Sequence, residues 1–489
     1  MNKKIKIILV SSLIITFGYA SNVLAATKNI NSTANKSQTI IKKYNTNTGI
    51  NQNKFKNLPP IKSNLSGNKL SYSNSFTNNS TLPSSVDNST SSYFPMVIEQ
   101  KFGDCVENSV VYYQMSFMES QKLSQRLVFS PKFIYNLVNN GDSYNGNTDI
   151  NTVYKYLTMS GSPLQSVWPY DNDYLGWPTN ESVWRSALKY KIDSYCSYLI
   201  TDQNNPQITG YNDSKLTSVK NALNLGYVLT YNTNIEGWNI TTAKNGEKIC
   251  YGVENKENKG VDHSMCIVGY DDDVWVDING NGKVDPGEKG AFKVLNPWGN
   301  AWKEAGGAFC WVSYDALNKV SVVQKSSDGK GLPPINNRIS VFSSGIDNNG
   351  ENQVFALIPG NGNYKPKYLL RVTAKSSDRE RFAIYMHAKD RATGEIYTYS
   401  PITNYVGNSL YWSKYAFDGT TNPCYASFAF DITDIATKNI QRGQTTIEFM
   451  GSNGDVVNNV EIDDGDGNSI FKYNNPIVLN TSPYYIQVQ

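Results

Sequence analysis

Histidine is almost missing from this chain: its 489 residues include two, His263 and His387. Any acid–base chemistry run by an imidazole must therefore use one of them. Cysteine is also sparse. The six, Cys105, Cys196, Cys250, Cys266, Cys310 and Cys424, form no Cys-x-x-Cys pair, which argues against a zinc site. If one of them is a nucleophile, five remain and at least one more must be unpaired, while the connectivity of any disulfides is not readable from sequence. Charge of one sign is lacking too, with 45 basic against 42 acidic residues and a net charge of +3. No basic stripe stands out, so no nucleic-acid partner is implied. Beyond the first residues there is no apolar run of the ~20 residues that a transmembrane helix needs.

What is present at the start is a leader. Lys3, Lys4 and Lys6 precede an apolar core from Ile7 to Tyr19, and Ala25 and Ala26 supply a cleavage site. The core is too short to span a bilayer comfortably, so residues 1–26 read as a signal peptide and the mature protein as soluble and exported. That places it in the extracellular space or at the cell wall. Residues 27–81 are rich in Asn, Ser, Thr and Lys. They hold too few large apolar side chains to offset ordering entropy, and read as a disordered spacer or a propeptide.

Folded structure is expected from Leu82-Pro83 onward. Helical spacing of apolar residues runs from Cys105 through Val110, Tyr113 and Phe117. It recurs from Ser130-Pro131, where Ser can cap and Pro suits the first turn, and again from Ile150 to near Gly161. Strand-like runs follow at 191–200, 227–232, 264–270, 291–295 and 307–313, with helical spacing at 214–225. Helices first and strands later is the α+β pattern. The Gly/Pro-rich link at 329–336 is expected to close a catalytic domain at 82–328. Beyond it, alternating segments separated by turn residues predict an all-β accessory domain, sandwich-like, over 337–489.

Three stretches carry chemistry. Cys105 follows Gly103-Asp104 at a helix start, where the helix N-terminus favours a thiolate. His263 opens an apolar β-branched run and is the only histidine outside the β-rich tail, so it is the candidate base and acid. Asn296, in Asn296-Pro297-Trp298-Gly299, can orient the imidazole while Trp298 covers it from water. Each has a bland alternative: a buried structural thiol, a satisfied core histidine, an ordinary turn. Together and in this order they point to a Cys-His-Asn thiol hydrolase.

On these residues the chain resembles the papain family of cysteine peptidases, in particular its exported bacterial members. Leu82 to Asp87 resembles the opening of that family's mature domain. Gly103-Asp104-Cys105 resembles its Gly-Ser-Cys motif, and Val261-Asp262-His263-Ser264 its histidine motif. Asn296-Pro297-Trp298-Gly299 with Trp302 resembles its Asn-Ser-Trp-Gly block, and Gly161 with Trp168-Pro169-Tyr170 its Gly…Tyr-Pro-Tyr segment. The matches span Leu82 to Tyr314 in the family's order, with the Cys-to-His distance close to its ~130–150 residues. The resemblance implies an α+β fold of two halves, one helical and one β-barrel-like. It makes Cys105 the nucleophile, His263 the general base and acid, Asn296 the orienter and Gln100 the oxyanion donor beside the Cys105 N–H. Protein or peptide substrates and a thioester intermediate follow, with no cofactor for catalysis. The chain departs from the family in three ways. Gln100 lies one residue closer to Cys105 than the family spacing, Val106 replaces Trp, and Asp104 and Glu107 bring negative charge expected to raise the thiol pKa.

A separate motif spans Asp277 to Glu288. It fits the 12-residue EF-hand-type calcium loop, with oxygen ligands from Asp277, Asn279, Asn281, Asp285 and Glu288, the Lys283 carbonyl, and Gly282 at the sharp turn. A structural Ca2+ is therefore expected between the strand of His263 and that of Asn296, although an acidic hairpin tip would share much of this composition. The second acidic stretch, Asp463 to Asn468, lacks the turn glycine and final Glu and reads as a solvated turn. The functional expectation is a secreted cysteine endopeptidase whose β-domain docks substrate, cell wall or another surface ligand. Its rivals are an inactive or weak papain-like adhesin and a thiol amidase or transglutaminase-type acyl transferase.

Overall fold

The computed structural model describes residues 82–139, 141, 148–200, 207–256, 261–326, 328–342, 352–390, 392–402, 415–437 and 440–488. The leader and spacer expected in 1–81 lie outside them.

The first unit is built on one long helix. This helix, α1, begins as Cys105–Glu107, widens into a π-helical stretch at Asn108–Met115 and continues as Ser116–Leu123. From Val106 to Ser120 every side chain is buried, so it runs through the core and its polar groups must find partners inside. They do. Ser109 Oγ donates to the Ser264 carbonyl at 3.0 Å, and Gln114 Nε2 to the carbonyls of Val228 (2.8 Å) and Phe355 (3.0 Å). Around α1 lie α2 (Pro131–Val138), α3 (Ile150–Met159) and α4 (Glu181–Leu188). Pro131 starts α2 as expected, but Ser130 makes no capping bond. Its hydroxyl is buried without a partner, while its main-chain N–H donates to the Pro163 carbonyl at 2.9 Å.

Against this helical layer stands a ten-stranded sheet. Its strands are β1 (Ser85–Asp87), β2 (Ser194–Leu199), β3 (Leu229–Thr233), β4 (Trp238–Thr242), β5 (Lys248–Glu254), β6 (His263–Trp275), β7 (Lys289–Leu295), β8 (Phe309–Ser313), β9 (Arg338–Ile339) and β10 (Gln353–Ile358). The order along its path is β2-β10-β3-β6-β7-β8-β5-β4, with β1 on β6 and β9 on β5. Helix α5 (Thr217–Asn224) precedes β3.

The 329–336 link is therefore not where the chain changes sheets. β9 pairs with β5, and β10 inserts between β2 and β3, so residues up to Ile358 belong to the first unit. The alternating apolar pattern of Gln353–Ile358 could not reveal which sheet it joins. The second unit is all-β. One sheet is β14-β11-β16-β17 with β18 on β16, from β11 (Leu369–Ser376), β14 (Cys424–Asp431), β16 (Val456–Asp463), β17 (Ser469–Tyr473) and β18 (Ile477–Val478). The other is β13-β12-β15-β19, from β12 (Ala383–Asp390), β13 (Ile396–Ile402), β15 (Ile440–Met450) and β19 (Tyr484–Val488).

The helical layer and both sheets of the second unit share one apolar cluster. Trp184 on α4 stands edge-on to Phe133 (5.3 Å), Phe428 (5.3 Å) and Phe430 (5.5 Å). Ion pairs frame this seam: Arg371 grips Glu181 with two nitrogens, each 3.0 Å from a carboxylate oxygen, and Lys191 meets Asp431 at 2.5 Å. A second cluster lies behind the sheet that carries His263. Among the described residues no helix is long and apolar enough to cross a membrane.

Candidate active site

His263 is the first residue of β6 and is only 4% exposed. Its Nε2 lies 2.8 Å from Asn296 Oδ1, just past the end of β7. That same oxygen accepts the Trp298 main-chain N–H at 2.9 Å. An atom that accepts from a main-chain N–H must be the amide oxygen, so the imidazole proton sits on Nε2 and the lone pair on Nδ1. Nδ1 is buried and has no hydrogen-bond partner. The Trp298 ring covers the imidazole, with centroids 4.7 Å apart at 40°. Burial pulls the His263 pKa down to about 4, a shift that the Asn296 bond partly opposes.

Cys105 is the first residue of α1, which packs against β6. It is half-buried, and its thiol takes a hydrogen bond from the backbone of Ser264, the residue after His263. Burial pushes the thiol up to about 12, and Glu107, Asp104 and Asp262 add to the rise in that order. The expected effect of Asp104 and Glu107 is therefore present, but it is second to desolvation. Burial thus favours the neutral thiol of Cys105 and the neutral imidazole of His263 near pH 7. All six cysteines are free thiols.

Gln100 stands on the loop before the helix. Its N–H donates to the Pro297 carbonyl at 2.8 Å, tying this loop to the Asn296 turn. Gly299 makes the approach feasible: at φ +57° it favours glycine, and a Cβ there would lie 2.5 Å from the Ile98 carbonyl. Gln100 Nε2 donates to Phe102 O at 2.8 Å, while Oε1 is buried without a partner. The side-chain amide is thus turned into its own loop. An amide has two N–H bonds, so one is held by Phe102 and one remains.

The 277–288 loop joins β6 to β7, as the motif's position requires. Gly282 takes the expected turn at φ +77°. Asp277 Oδ2 accepts Gly282 N–H at 2.9 Å and lies 3.3 Å from Lys244 Nζ, whereas Oδ1 is buried without a partner. The amide nitrogens of Asn279 and Asn281 both donate to Asp285 Oδ2, at 2.6 and 2.5 Å. Glu288 is fully buried and accepts the N–H groups of Ile278, Asn279 and Asp285. Lys283 N–H donates to Asn281 Oδ1 at 2.8 Å. Among the described residues no three or more His, Cys, Asp or Glu side chains converge to hold a metal. The oxygen-rich donor set still suits a hard cation, provided that the Asn279 and Asn281 amides turn their oxygens inward.

His387 is occupied elsewhere: Nδ1 lies 2.9 Å from Thr398 Oγ1 and Nε2 2.7 Å from Glu448 Oε2. Sequence reasoning missed two partners of the site, the Ser264 backbone at the thiol and the Tyr170 hydroxyl, which donates to Asp104 Oδ2 at 2.6 Å. The Tyr170 motif was visible, but nothing in it marks the hydroxyl's partner.

A scan of protein-family models finds no match, and a search of curated proteins finds none either. Solved structures do align. Xylellain, a cysteine protease from Xylella fastidiosa, is 16% identical over 57% of this chain and 87% of its own, with a TM-score of 0.34. The bromelain protease from Ananas comosus, solved with the E64 inhibitor, is 11% identical over 57% of this chain and 100% of its own, with a TM-score of 0.36. The cysteine protease CMS1MS2 from Carica candamarcensis is 15% identical over 57% of this chain and 99% of its own, with a TM-score of 0.32. These likenesses are distant.

Proposed function

We propose that the chain is an exported cysteine endopeptidase, with a papain-like two-half catalytic unit and a β-rich second unit. The observation that carries this reading is the Asn296 oxygen, which fixes the proton on His263 Nε2 and leaves Nδ1 open beside the strand that meets Cys105. In the proposed reaction Nδ1 takes the Cys105 proton as sulfur attacks a peptide carbonyl. The oxyanion is met by the Cys105 N–H at the helix start and by the remaining N–H of Gln100. His263 then returns its proton to the leaving amine, and water hydrolyses the thioester. Export, peptide substrates and a surface ligand for the β-rich unit belong to the same reading. So does a structural Ca2+ in the 277–288 loop, held by Asp277, Asn279, Asn281, Lys283 O, Asp285 and Glu288.

Two observations favour a second reading. The neutral resting pair and the inward-turned Gln100 amide would also suit a weakly active or inactive binding protein. Casein hydrolysis separates the two: the peptidase reading expects it in the full chain and its loss in Cys105→Ala. Release of ammonia from glutamine without casein cleavage would favour an amidase or transglutaminase instead.

A further inference from the structure

The segment 101–104 connects the oxyanion donor to the nucleophile, and one hydroxyl holds both of its ends. Tyr170 OH accepts the Lys101 N–H at 2.7 Å and donates to Asp104 Oδ2 at 2.6 Å. Asn108 Nδ2 lies 3.3 Å from the same oxygen. A phenol has one hydrogen and two lone pairs, so these three contacts saturate it and direct its only proton to Asp104. Asp104 is fully buried, and its other oxygen accepts the Phe102 N–H at 3.3 Å. Phe102 in turn stacks on Tyr135, with centroids 6.0 Å apart at 4°.

We propose that Tyr170 and Asp104 are a positioning pair, holding the short Gln100–Cys105 approach in the one geometry from which the remaining Gln100 N–H and the Cys105 N–H serve the oxyanion. This rests on the cysteine-peptidase reading. Neither residue touches substrate; both act through the loop. The carboxylate does a second thing, because its negative charge stands next to the thiol and opposes thiolate formation. The titratable and charged groups around the pair are Cys105 and Glu107 on the same helix, Lys101 over the Tyr170 ring, and Asp262 from the side of β6. Burial raises the Asp104 pKa to about 6, so this charge appears as the pH approaches neutrality.

The test uses the full chain in four forms, wild type, Tyr170→Phe, Asp104→Ala and Asp104→Asn, with two readouts. Fluorescein-casein hydrolysis needs the oxyanion site, whereas alkylation of Cys105 by iodoacetamide needs only the thiolate. Tyr170→Phe and Asp104→Ala are expected to lower hydrolysis about 10- to 100-fold, as sub-ångström misplacement does, with alkylation at the same pH unchanged within about threefold or faster. Asp104→Asn keeps an oxygen for the Tyr170 proton but loses the charge and the acceptor for Phe102 N–H. It is expected to hydrolyse casein faster than Asp104→Ala does and to be alkylated faster than the wild type at pH 7. Asp104→Ala keeps the buried ring and so covers the case in which Tyr170→Phe folds poorly. The proposal is overturned if both contact-breaking variants hydrolyse casein like the wild type, or if hydrolysis and alkylation fall together by one factor. A wild-type chain that neither cleaves casein nor is alkylated at Cys105 would sink the peptidase reading, and this inference with it.

Discussion

Asn296 does two things with one oxygen: it accepts from Trp298 N–H and from His263 Nε2, and so decides which imidazole nitrogen is free. That role was legible in the sequence because the histidine is rare and because Asn-Pro-Trp-Gly is a turn that places its first side chain. Gln100 was legible in identity only. Its main chain is bound to Pro297, and its side chain to Phe102, through contacts that no spacing rule could supply. If its remaining N–H meets the oxyanion, Gln100→Ala lowers kcat on casein by about 100- to 1000-fold with little change in KM. Activity within threefold of wild type would assign that role to another donor. Tyr170 was named as part of a segment, yet its bond to Asp104 spans 66 positions and is invisible to any local pattern.

At the scale of elements, the hairpin β6–β7 carries His263 at one end and leads into Asn296 at the other, with the 277–288 loop as its tip. The apolar β-branched runs made both strands readable, although β6 continues to Trp275, past the run expected over 264–270. The apolar spacing of α1 was readable too, but not its π-helical middle, Asn108–Met115, which side-chain spacing does not encode. Helix α4 was missed because its eight residues are flanked by loops and its apolar face is completed by the second unit. The tip gives a direct expectation. If calcium braces the hairpin, EDTA lowers both Tm and casein hydrolysis, and added Ca2+ restores both. Equal Tm and activity with and without EDTA would leave the loop an acidic turn.

Over the whole molecule the two units share one buried apolar cluster, to which both Trp184 and Phe428 belong, so they are expected to unfold together. Trp184→Ala should cost about 3–5 kcal/mol and lower the unfolding midpoint of both units together in urea. Two separate transitions, with only one shifted, would contradict this. The buried carboxylates set a pH dependence. Desolvation raises Asp104 to about 6, Asp262 and Glu119 to about 7, and Glu107 to about 8. Each folded-state pKa lies above its unfolded value, so the folded chain holds more protons and loses stability as pH rises through this window. His263 works in the opposite sense only between about 4 and 6.5, where the unfolded imidazole is the form that gains a proton. Tm should therefore fall between pH 6.5 and 8, and a flat or rising Tm there would mean that these carboxylates are not buried as described. In the proposed reaction Cys105 is a nucleophile served by His263. Treating the full chain with an epoxide thiol inhibitor and mapping the adduct by mass spectrometry tests it most directly. One adduct is expected, on Cys105, and its formation is greatly slowed in His263→Ala. No adduct, or one equally fast without the imidazole, would contradict it.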